Sequence, residues 1–202
     1  MAERSARHYP SVEFPDLALN QAAAWAIRRV GGHLRVDPAR AVNDPPWDDF
    51  ETDGLIDEAR RWQRVGGSEV IDAHEFLGKL VGGLLGVRLD GLGGRLEIQP
   101  SLPPRWRQVT ARRLRAHRTL FDLEVRPRAE WLTVKLAVRF GPPVAVMISS
   151  PVEAVSWVSV DEVPMVGPRA LFTAADEHEA VLYYGMAGNR RDSETGGDDP
   201  RR

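Results

Sequence analysis

The chain has 202 residues, 43% of them hydrophobic and 28% charged, enough for one large domain or two small ones with an ordinary globular balance. A formal net charge of −2 gives no global pull toward nucleic acid or a membrane surface. The absence of cysteine excludes disulfides, thiol chemistry and cysteine-based zinc sites.

The first 15 residues, MAERSARHYPSVEFP, lack the apolar core of a signal peptide and are expected to form an N-terminal extension. No stretch approaches the roughly 18 uninterrupted apolar residues of a membrane span, so the default address is the cytoplasm. Residues 16–87 read as helical. Asp16 to Val30 sets Leu19, Ala23, Ala26, Ile27 and Val30 on one stripe, with Trp25 on its flank. Asp53 to Trp62 continues with Leu55, Ile56, Ala59 and Trp62. Asp72 to Gly86 carries Phe76, Leu77, Leu80, Val81, Leu84 and Leu85, and Asp72 with Glu75 makes a capping-box start. Gly82 and Gly83 weaken that helix, which predicts close packing of another element there.

Near residue 88 the apolar period falls to two. Phe121, Leu123 and Val125 alternate with Asp122, Glu124 and Arg126. Leu132, Val134, Leu136, Val138 and Phe140 alternate with Thr133, Lys135, Ala137 and Arg139. Val144, Val146 and Ile148 repeat the pattern, then Val158 and Val160, then Val181 and Tyr183. Breaks at Pro127, Gly141-Pro142-Pro143, Pro151 and Gly167-Pro168 give short strands at regular intervals, the pattern of an antiparallel sandwich over 88–187. The polar, Gly-rich residues 188–202 read as disordered. The expected fold is therefore α+β, a short N-terminal helical part packed on a C-terminal antiparallel β-sandwich.

Several motifs carry little chemistry. The five histidines form no HxxxH or HxH pair, and the serines lack a G-x-S-x-G elbow. GLGGRL leads into a strand rather than a helix and so fails as a phosphate cradle. RWRQVTARRLRAHR holds six arginines and no acid, but its charges fall on both strand parities, as in a solvated strand and loop.

The richest acidic stretch is PPWDDFETDGLI, residues 45–56, with Asp48, Asp49, Glu51 and Asp53 just before a helix. Acids there cap amides and offset the helix dipole. Counted as a calcium loop from Asp49, the positions run Glu51, Asp53, Gly54 and Ile56, but the twelfth is Arg60 where a bidentate glutamate belongs.

Residues 78–106, GKLVGGLLGVRLDGLGGRLEIQPSLPPRW, resemble a junction in the six-hairpin (α/α)6-barrel glycoside hydrolases, amylo-glucosidase- and trehalase-like. There a G-L-L-G-like turn ends the last barrel helix, and R-L-x-x-x-P-x-L-P-x-x-W opens a C-terminal β-sandwich. The paired strands that follow are similar in rhythm. Pro46-Trp47, Phe50 and Asp53-Gly54-Leu55 resemble the segment after the family's first barrel helix, although Glu51-Thr52 stands where the family has Gly-Arg. Twelve barrel helices would take on the order of 190 residues, and residues 16–86 have room for three. The resemblance thus implies a relative or truncated form without most of the catalytic barrel.

The same resemblance supplies site candidates. Glu69 in GGSEVIDAHEF lies where some inverting members keep a general base, and Asp53 or Glu51 is its candidate partner. A hydrolytic pair would stand roughly 6.5–9.5 Å apart for inversion or about 5–5.5 Å for retention. Trp47, Asp53 and Glu51 are the implied sugar-binding residues. No metal or cofactor is implied. The implied ligand is a carbohydrate, and missing hairpins imply a homo-oligomer or protein partner over the helical face. The resemblance leaves two functions, a non-catalytic structural or interaction module and a glycosidase completed by oligomerisation or a partner chain, and the loop counted from Asp49 offers a third, a small calcium-binding module.

Overall fold

A computed structural model describes residues 10–36, 52–65, 72–90, 94–103, 105–150 and 155–184. Strand β1 (Ser11–Glu13) precedes helix α1 (Leu17–Arg29). Asp16 caps α1 by accepting from the Leu19 amide, and Ala18, Leu19, Ala22, Ala23, Ala26 and Ile27 form its buried face. Helix α2 (Thr52–Val65) buries Leu55, Ile56 and Ala59. Trp25 and Trp62 join α1 to α2 with ring centroids 5.6 Å apart. Helix α3 (Ala73–Gly78) starts on Asp72, whose side chain accepts from the Glu75 amide at 2.8 Å.

The third helix is not α-helical to its end. From Lys79 to Leu84 it widens into a π-helix, closing with the Leu85 amide on the Leu80 carbonyl at 2.9 Å. This winding buries Leu80, Val81, Leu84 and Leu85 together. The close packing predicted at the glycines is absent at Gly82, where an added Cβ would meet nothing within 4 Å. The demanding glycine is Gly86, at φ +65°, where a Cβ would fall 1.8 Å from the Gln99 carbonyl oxygen. It lets the chain reverse from the π segment into β2 (Val87–Leu89).

The remaining strands are β3 (Leu96–Ile98), β4 (Val109–Ala116), β5 (Thr119–Pro127), β6 (Trp131–Phe140), β7 (Val144–Ile148), β8 (Val155–Val160), β9 (Val163–Met165), β10 (Ala170–Ala174) and β11 (Glu177–Tyr184). They form a seven-stranded sheet in the order β1-β4-β5-β6-β11-β8-β9 and a four-stranded sheet in the order β10-β7-β3-β2. All neighbouring pairs are antiparallel except β3 with β7. The fold is α+β, with a β-sandwich and a helical layer. Helical and strand residues share one hydrophobic core, running from Leu19 and Phe76 through Phe121 and Val134 to Ile148.

Three further details depart from the sequence expectations. Ser11–Glu13, expected in the extension, is an edge strand of the larger sheet. Phe140, expected on the inner face of β6, is 74% exposed, because the β5–β6 register shifts between Leu120 and Phe121. In β11 the inward residues are Ala180 and Leu182, not Val181 and Tyr183. Leu182 lies opposite Leu132 and Val158, and Ala180 opposite Val134 and Val160, so the neighbouring strands impose the parity. The mixed parity of the arginines in β4 has a local cause. A bulge between Ala111 and Leu114 turns Arg113 to φ 59°, and its amide donates to Asp122 Oδ1 at 2.7 Å. No helix among the described residues is long and apolar enough to cross a membrane.

Candidate functional site

Of the residues suggested by resemblance, Asp53 is described and Trp47, Glu51 and Glu69 lie outside the described residues. Asp53 sits in the first turn of α2 with its side chain 86% exposed, 3.9 Å from Arg105 Nη2. That is where a carboxylate offsets a helix dipole. The start of α2 is tied down by Thr52, whose hydroxyl donates to the Ser101 carbonyl at 3.1 Å. The candidate calcium loop is helical from Thr52 onward, so its fifth, seventh and ninth positions, Asp53, Leu55 and Asp57, spread around a helix instead of wrapping an ion. Arg60 pairs with Asp16 and Asp57. Among the described residues no group of three or more acidic or histidine side chains is placed to hold a metal.

Trp106, which ends the junction motif, is 4% exposed and packs on Phe14 with centroids 5.6 Å apart. The arrangement that sequence reasoning passed over lies on the outer face of the larger sheet. In register across three adjacent strands stand Trp131 of β6, Tyr183 of β11 and Trp157 of β8. Their side chains lean together, with centroids 6.3 Å apart from Trp131 to Tyr183 and 4.7 Å from Tyr183 to Trp157. They are 36%, 37% and 41% exposed.

One step along the strands, the next outward row is low: Thr133, Val181 and Ser159. Thr133 and Ser159 are buried beneath their taller neighbours. A further step brings a charged row, Glu124, Lys135 and Glu179. The result is a shallow trough with an aromatic wall across β6, β11 and β8, a floor of small side chains, and a charged wall across β5, β6 and β11. Lys135 Nζ lies 2.6 Å from Glu179 Oε2, and this hydrogen bond, then the charge behind it, holds the ammonium above its ordinary value of 10.5. Arg126, opposite Thr133, pairs with Glu124. Beyond Lys135 the same face holds a polar hollow of about 130 Å³ lined by Arg112, Asp122, Arg139 and Glu177 among others. Asp122 there is held by Arg139 Nε at 2.8 Å and by the Arg113 amide.

The signal for this site was in the alternation. Once Leu132, Val134 and Leu136 point inward, Trp131 must point outward, and a tryptophan on a solvent face is uncommon enough to mark.

No family model matches the chain, and no curated protein matches it. Among solved structures it is similar to an α-L-rhamnosidase from Dictyoglumus thermophilum, at 11% identity and a TM-score of 0.39. That likeness covers 55% of this chain and 14% of the rhamnosidase chain.

Proposed function

We propose that this chain is a non-catalytic relative, or a truncated form, of an α-glucoside hydrolase. It works in the cytoplasm as a structural and interaction module, and its β-sandwich makes weak carbohydrate contact. The observation that carries the carbohydrate part is the aromatic row Trp131–Tyr183–Trp157 standing exposed above a polar trough. The apolar C–H face of a sugar ring stacks on aromatic carbon while its hydroxyls need polar partners at the edge, and both are within one trough. The resemblance of residues 46–55 and 78–106 supports the relation to the hydrolases. A second copy or a protein partner over the helical layer belongs to the same reading, since Leu17 and Val65 are 66% and 64% exposed there.

The non-catalytic part is tested by sugar release from trehalose, maltose, isomaltose and longer α-glucans, with Asp53→Asn as the control. No release from the folded chain is expected. Release that Asp53→Asn abolishes would establish instead an active centre completed by oligomerisation or a partner.

A further inference from the structure

We infer that the trough takes a neutral glycan, laid across β6, β11 and β8 with sugar faces on the aromatic row, and that it discriminates against uronate-bearing or sulfated glycans. This inference rests on the carbohydrate reading above and narrows it to a ligand class.

The area favours a sugar over a protein. An aromatic side chain carries about 150–250 Å², so three rings at some 40% exposure offer roughly 200–300 Å², against about 800 Å² per partner in a specific protein interface. Two or three sugar units match that smaller footprint. The row is built of Trp and Tyr, which present apolar faces with polar edges. The strands stand about 4.8 Å apart, so one ring per strand gives a repeating platform along a chain that crosses the sheet.

The opposite wall sets the charge preference. Lys135 there is paired with Glu179, Arg126 in the floor row with Glu124, and Arg128 beside Trp131 donates to the Arg107 and Pro127 carbonyls. A uronate or sulfate would have to displace a carboxylate from its partner and then lie beside it, which like-charge repulsion opposes. A sugar hydroxyl faces no such conflict, since it donates to Glu124 or Glu179 and accepts from Lys135 or Arg126 while the pairs stay intact.

The test titrates the full chain with maltoheptaose, cellohexaose and oligogalacturonate at low and high salt, read by calorimetry and tryptophan fluorescence. Binding of a neutral oligosaccharide, unchanged by salt, is expected. Trp157→Ala and Trp131→Ala should each weaken it about tenfold, and Trp157→Phe should keep most of it. Val181→Lys, which raises the floor and removes no ring, should block binding and serves if an alanine variant fails to fold. Tighter binding of oligogalacturonate that falls with salt would overturn the neutral preference and leave the carbohydrate reading standing. Neutral binding indifferent to Trp157→Ala, Trp131→Ala and Val181→Lys would overturn the placement. Binding of none of the three glycans would overturn both the inference and the carbohydrate reading.

Discussion

His178 Nδ1 lies 2.7 Å from Asp161 Oδ2, tying the start of β11 to the turn between β8 and β9. The imidazole also rests against Phe172 of the other sheet, centroids 5.2 Å apart, and its Nε2 is 3.1 Å from Asp176 Oδ1, an ion-pair distance without hydrogen-bond alignment. One side chain thus closes the end of the sandwich, and the same strands carry Tyr183 and Trp157 farther along.

The latch makes stability pH-dependent. Burial alone would raise the pKa of Asp161, but the Glu179 amide and His178 together outweigh it and hold the carboxyl below its ordinary 3.8. A depressed folded-state pKa stabilises above the unfolded value, and the contribution is lost as pH falls through the folded one. Asp161→Asn keeps a residue that accepts the φ of 50°, removes the charge and leaves one acceptor oxygen where the carboxylate has two. Melting curves at neutral pH should show the variant less stable by under about 1 kcal/mol, because Asp161 is half exposed. The gap should close as pH drops below 3.8, and a gap independent of pH would refute the latch.

Gly86 and Gly82 should respond oppositely to the same substitution. Gly86→Ala meets the Gln99 backbone and a left-handed φ, and should cost about 3 kcal/mol or more, or prevent folding. Gly82→Ala enters open space and should be neutral or stabilise by up to about 1 kcal/mol. Urea midpoints of the two variants decide this.

Phe140 and Phe121 test the bulged register of β5 and β6. Phe140→Ser should shift stability by no more than about 0.5 kcal/mol, since the ring is 74% exposed. Phe121→Ala, at full burial, should cost about 3–5 kcal/mol. Equal costs in urea unfolding would mean that the strands pair without the shift.

Phe76 lies in α3 yet belongs to the core shared with the sandwich. Phe76→Ala should cost about 3–5 kcal/mol, and helix and strand signals in circular dichroism should melt together before and after the change. Separate transitions would mean that the helical layer is not part of the cooperative unit.

Much of the fold was legible in local pattern. The alternation from Phe121 to Val125 and from Val144 to Ile148 matches the buried faces of β5 and β7. Asp16 and Asp72 mark helix starts through their own side chains, a signal contained within four residues. The candidate site was less legible. Asp53 came from a motif and stands in solvent at a helix start. The aromatic row depends on three segments, 131, 157 and 183, whose alignment no local window contains.

The sequence by itself determined the fold class, the helical and stranded halves and the helix caps, because period and capping act over a few neighbouring residues. Tertiary structure alone decided which way Tyr183 faces, since residues 181 to 184 are apolar or aromatic at both parities and only Leu132 and Val158 alongside select the inward one. It likewise decided that Gly86 rather than Gly82 is constrained, because the Gln99 carbonyl that excludes a Cβ is brought there by the antiparallel pairing of β2 with β3. Non-local contacts choose among local patterns that are equally good on their own.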